Sequence, residues 1–175
     1  MRLKLNLSGI TAELSITGYV PDSADWCKSD FVFRSEDWLN YHGENRELFT
    51  AFDLEYLVRH LWELVRGEMQ EVTSYWCFEP DFTFVMMPAR EVQSQPGLII
   101  LNEDKSVGSR FYDICMEWRV GFWYRGHGFS GNYLSLDMGA QEVRYFLAYL
   151  ELVMGKRTEE DREIAEMMEK GILVP

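Results

Sequence analysis

The opening residues RLKLNLSGITAELSITG constrain the fold most, because apolar side chains recur at every second position. Leu3, Leu5 and Leu7 alternate with Lys4 and Asn6, and Leu14 and Ile16 alternate with Ser15 and Thr17. A period of two suits a strand with one buried face, and it does not suit a helix. Two strands joined at Ser8-Gly9 would place these side chains on one face, so residues 2–19 are expected to form a hairpin. Gly18, Pro21 and Asp22 punctuate its exit. FVFRSEDW continues as a third strand, and YHGENRE reads as a polar loop.

A helix follows. Thr50 is suited to the N-cap, with Asp53 three residues later as the capping-box acid and Phe49 and Leu54 as a hydrophobic staple. Leu54, Leu57, Val58, Leu61, Leu64 and Val65 then line one helical face up to Gly67. The segments EVTSYWCFE, DFTFVMM, GLIILN and SRFYDICMEWRVGFWY return to β-forming composition, with a turn at Glu79-Pro80-Asp81. In the last of them Phe111, Met116, Trp118, Val120 and Phe122 predict one buried face, and the irregular step at Ile114-Cys115 suggests a bulge. NYLSLDM is its expected partner, with Leu134 and Leu136 on one face and Tyr133 and Ser135 on the other.

A second helix is expected over Ala140–Met154, stopped by Gly155. A third is expected to begin at Thr158, with Asp161 as its acid and a thin stripe of Ile164, Met167, Met168 and Ile172. Strands thus outnumber helices and do not alternate with them. The pattern predicts an α+β fold: a mostly antiparallel sheet, two core helices, and a short charged helix appended over 156–175. The 175 residues suit a single domain spanning 1–175.

The formal net charge of −12 argues against nucleic acid as a direct partner, since phosphates would be repelled and no Lys/Arg cluster is present to displace their counterions. The same charge suits a basic protein partner. No apolar run approaches the roughly 20 residues that span a bilayer, and the opening alternation lacks the layout of a signal peptide, so a cytoplasmic protein is expected. Cys27, Cys77 and Cys115 each sit in an aromatic or apolar context, as reduced, buried thiols do. His42, His60 and His127 share no metal-ligand spacing, and His60 reads as a boundary residue of the first helix.

Residues 126–131, GHGFSG, match the G-x-G-x-x-G fingerprint of a dinucleotide-binding turn. That fingerprint requires a helix to open on the glycines, so that the pyrophosphate rests on its N-terminus. Here GNYLSLD alternates as a strand, so the stretch is expected to be a hairpin and no cofactor is assigned. Ser130 misses the G-x-S-x-G spacing of a nucleophile elbow by one residue. The carboxylate pairs Glu79/Asp81 and Glu36/Asp37 are of the kind used in glycoside hydrolysis, and six tryptophans are available to stack on sugar rings. Core packing accounts for most of the aromatic residues, with Trp26, Trp38 and Tyr41 the ones expected near the surface.

Three stretches, AELSITGYVPDSADWCKSDFVFRSEDW, LFTAFDLEYLVRHLWEL and MEWRVGFW…NYLSLDMGAQEVRYFLAYLELVMG, together resemble the WapI-type immunity proteins and their uncharacterised relatives. The resemblance covers about two-thirds of the chain. It implies a small cytoplasmic protein that binds and neutralises a bacterial toxin, often a nuclease with a basic active site, and it transfers no catalytic residues. The expectation is a non-catalytic interaction protein with no metal or cofactor. Glu79, Asp81, Arg125, His127 and Phe129 are its candidate partner contacts. A carbohydrate-like binding module or hydrolase is the alternative, and a subunit that only completes a homo-oligomer is a third reading.

Overall fold

The computed structural model describes residues 1–77, 81–95, 98–101, 110–124 and 128–175, those within 91–112 and 123–131 by backbone only. The fold is α+β with antiparallel sheets. The opening hairpin is β1 (Arg2–Leu7) and β2 (Ile10–Thr17), in register with Leu3 opposite Leu14 and Leu7 opposite Ile10. Ser8 and Gly9 both adopt positive φ, 53° and 86°, which makes the two-residue connection that follows the natural twist of a hairpin. Asn6 Oδ1 accepts from Gly9 N at 3.1 Å.

Next come β3 (Trp26–Arg34) and β4 (Asn40–Thr50). YHGENRE is therefore part of a strand, not a loop. Its polarity is that of a sheet edge: Lys28 pairs with Glu47, Asp30 Oδ1 accepts from Asn45 N at 2.7 Å, and two register shifts interrupt the ladder. Gly43 lies opposite Phe31, and a Cβ there would stand 2.6 Å from Phe31 Cε1. Phe31 is buried and in ring contact with Phe33, Tyr41 and Phe82, so it has no easy retreat. Gly43→Ala is expected to lower stability by about 1–3 kcal/mol, read from urea unfolding.

Helix α1 (Ala51–Val65) carries the expected capping box, with Thr50 as N-cap, and its staple residues Phe49 and Leu54 are both buried. The second sheet holds β5 (Thr73–Trp76), β6 (Phe82–Met87), β10 (Cys115–Tyr124) and β11 (Gly128–Met138), in the order β11-β10-β6-β5. Between β6 and β10 run β7 (Arg90–Gln95), β8 (Leu98–Leu101) and β9 (Arg110–Tyr112), a third sheet ordered β8-β7-β9. The long segment expected as one bulged strand is thus broken at Asp113-Ile114. Its first part pairs with β7, and its second with β6 and β11.

Helix α2 (Ala140–Val153) buries Val143, Phe146, Leu147 and Leu150. Tyr149 is also buried, and its hydroxyl accepts from Ile16 N at 2.8 Å, just past the last β1–β2 pair. Helix α3 (Arg162–Glu169) starts later than Thr158, because Asp161 is the N-cap and its carboxylate accepts from Thr158 N at 2.7 Å. The C-terminal segment is integrated into the fold. Ile164 and Met167 are buried, and β12 (Leu173–Val174) pairs with β1 to complete the first sheet, β12-β1-β2-β3-β4. Glu151, itself buried, joins the three helices by accepting from Trp62 Nε1 at 2.7 Å and Arg157 Nε at 2.6 Å, while Arg157 reaches Glu163 at 2.6 Å.

The two larger sheets and α2 meet in an aromatic cluster. Trp118 lies at its centre, with ring centroids 5.1 Å from Phe33, 5.2 Å from Phe82, and 5.8 Å from both Phe84 and Phe146. No helix among the described residues is long and apolar enough to cross a membrane.

Candidate interaction surface

Alternation along the second sheet sends Phe84, Trp118 and Leu136 into the core, so their neighbours occupy the opposite face. Register then arranges that face in rows. Trp76, Thr83, Arg119 and Ser135 lie side by side on β5, β6, β10 and β11. Ser74, Val85, Glu117 and Asp137 form the next row, and Tyr133 stands opposite Gly121 beyond the first. Trp76 is 67% exposed and Tyr133 52% exposed. Between them Arg119 reaches Glu117 at 2.6 Å and lies over the Tyr133 ring, 5.2 Å from its centroid.

Glu117 and Asp137 are directly opposed across the strand pair, an arrangement of like charges that disfavours the folded chain. Arg119 pairs with Glu117, and among the described residues no ion pair neutralises Asp137. Asp137→Asn is therefore expected to raise stability by a few tenths of a kcal/mol, seen as a higher urea midpoint. A fall would show that Asp137 has a stabilising role that its register does not reveal.

The sequence-predicted contacts fare unevenly. Glu79, Arg125 and His127 lie outside the described residues, and Phe129 is described by its backbone alone, in β11 opposite Trp123. Asp81, expected on an open turn, is only 6% exposed. Its carbonyl accepts from Gly121 N at 2.7 Å, tying the start of β6 to β10, and its charge bears on Tyr41 and Cys77. Packing of the two sheets, which a local turn pattern does not encode, draws it inward. Strands β10 and β11 pair as a hairpin with Tyr124 opposite Gly128, and β11 runs to Met138, so a strand and not a helix follows the glycines of GHGFSG. Trp38 is exposed, as expected. Tyr41 is instead part-buried against Phe31 and Phe122.

Glu117 and Arg119 are legible as outward residues from the alternation of MEWRV, and Tyr133 and Ser135 from that of NYLSLD. That Trp76 shares their face, and that Glu117 meets Asp137, depends on strand order and register, which no local pattern supplies.

All three cysteines are free thiols, Cys27 and Cys77 buried and Cys115 partly so. Burial, followed by the charge of Asp53, pushes Cys27 up to about 11. Burial and the charges of Asp53 and Asp81 push Cys77 well above the usual thiol range. Burial also raises Cys115, with Asp137 and Glu117 adding to it. Such thiols stay protonated and are poor nucleophiles at neutral pH. Burial likewise raises the phenols of Tyr75 and Tyr149, and takes Tyr19 to about 12 with help from Glu55.

These shifts share one sign. Above pH 9.0, where an ordinary thiol ionises, the unfolded chain releases protons that the folded chain retains. The stabilising contribution is full below that pH and is lost as pH rises through the folded values, near 11 for Cys27. Thermal midpoints are expected to hold steady up to about pH 9 and then fall steeply. A midpoint independent of alkaline pH would contradict these assignments.

Among the described residues no group of three or more His, Cys, Asp or Glu side chains is placed to hold a metal ion. Comparison with protein-family models, curated proteins and solved structures gives no match.

Proposed function

We propose that this chain is a non-catalytic interaction protein of the immunity type, which binds and neutralises a bacterial toxin domain through a basic surface on that domain. The observation that carries this reading is the outer face of the second sheet. There the exposed Trp76 and Tyr133 lie on either side of Arg119, and the opposed carboxylates Glu117 and Asp137 form the next row, on a protein of net charge −12. Aromatic anchors beside charged groups are the usual anatomy of an interface hot spot. A lysine or arginine set between the two carboxylates would relieve their repulsion, so the free protein's small electrostatic cost becomes part of the binding energy. An acidic protein also attracts a basic domain from a distance and speeds its capture. Acting on such a toxin places the protein in the cytoplasm.

The test is co-expression with the toxin encoded by an adjacent reading frame. The reading requires that growth be restored and that a complex survive gel filtration. It also requires that Trp76→Ala weaken that complex while leaving the protein folded. Growth arrest with no complex would overturn it.

A further inference from the structure

The outer face of the first sheet carries a groove of about 810 Å³ that the partner-binding reading does not use. Its floor is one row of residues across three strands, Asn6 opposite Thr11 and Thr11 opposite Arg34; the row continues to Asn40, which lines an adjoining depression under the same loop. Its wall is the β3–β4 connection, which brings Glu36, Asp37 and Trp38 to the rim. That connection is held at both ends. Ser35 N donates to Leu39 O at 3.0 Å, and the Leu39 side chain is buried in the core.

Trp38 projects from this short, closed loop 67% exposed. So exposed an indole forgoes most of the hydrophobic stabilisation that its area offers, and contributes little to folding. What it presents is a flat apolar face. Beside it stand groups that accept or donate in planes: the carboxylates of Glu36 and Asp37, the guanidinium of Arg34, and the amides of Asn6 and Asn40. Ser35 Oγ, buried and without a hydrogen-bond partner among the described residues, belongs to a residue lining the same groove.

We infer that this groove binds a neutral oligosaccharide. The C–H face of a sugar ring is apolar and stacks on an aromatic plane, while its equatorial hydroxyls both donate and accept around the edge. Carboxylates take the donated hydrogens, and the guanidinium and amides supply the return bonds. A nucleotide could also use the indole, but its phosphates would meet Glu36 and Asp37 on a protein of net charge −12. The inference concerns binding alone. It is independent of the toxin-binding reading, which rests on the other sheet.

The experiment is a nitrogen–proton correlation titration of the intact protein with cellotriose, chitotriose and maltotriose, each to about 10 mM, tenfold above a millimolar Kd. At least one saccharide is expected to shift the amides of Asn6, Thr11 and Arg34 and the indole of Trp38. Trp38→Ala should weaken that binding by about tenfold or more with an unchanged unfolding midpoint, as for an exposed substitution. Asp37→Asn, on the same loop, should weaken it as well and supplies a second variant. The inference is overturned if no saccharide moves these signals, if Trp38→Ala binds as tightly as the parent, or if an arginine-rich peptide occupies the groove in preference.

Discussion

Trp118→Ala is expected to cost about 3–5 kcal/mol, a large share of the roughly 5–15 kcal/mol by which a folded domain is stable. The indole is buried and touches rings from both large sheets and from α2: Phe33 on β3, Phe82 and Phe84 on β6, and Phe146 on α2. Alanine would leave a void bordered by three separate elements, none of which can close it without losing its own contacts. Trp118→Phe is the informative companion. It keeps an aromatic ring in the cluster and removes Nε1–H, which is buried without a hydrogen-bond partner among the described residues. Deleting an unsatisfied donor returns part of the packing loss, so phenylalanine should cost well under half as much as alanine. Equal losses in urea unfolding would mean that the indole itself, and not aromatic packing, matters at this site.

Asp53→Ala is expected to destabilise by about 2–4 kcal/mol, which is large for a single helix-cap residue. The carboxylate is buried and serves three groups. One oxygen accepts from Thr50 N at 2.6 Å and Thr50 Oγ1 at 2.7 Å, and the other accepts from the Tyr75 hydroxyl. Alanine therefore removes one half of the capping box of α1, leaving Thr50 N without its acceptor, and at the same time leaves the Tyr75 phenol without its own. The two losses can be separated. Adding Tyr75→Phe to Asp53→Ala removes the stranded hydroxyl, so the double variant should lose about 1–2 kcal/mol less than the sum of the singles. Strict additivity would mean that the link between α1 and β5 contributes nothing beyond the cap.

These two residues differ in how far their roles can be read from the chain. Asp53 as a capping acid is local, three residues from Thr50, and such chemistry is visible in a sequence. Its bond to Tyr75 crosses from helix to sheet and is not. The opening hairpin is legible because its register follows from one turn, whereas the edge strand β4 is not. Edge strands are polar for the same reason loops are, since solvent reaches them. The start of α3 moved because Asp161 is a cap and not an interior acid, a distinction of three residues within one acidic run. At the interaction surface, alternation reveals which residues of β10 and β11 point outward. The opposition of Glu117 and Asp137 emerges only from strand pairing, and the burial of Asp81 only from the meeting of two sheets.

The pairing of β12 with β1 has a consequence for how the protein is made. The first hairpin can form as soon as it leaves the ribosome, yet one of its edges is completed by Leu173 and Val174. Until Leu173 and Val174 have been made, β1 has one open edge and leucine at every second position, the kind of edge on which other nascent chains add. Lys4 N, which in the folded protein donates to Ile172 O at 2.7 Å, waits for that partner until α3 has been made. The vulnerable interval of this protein is thus set less by how fast its hairpin folds than by how long translation takes to reach α3 and the strand beyond it.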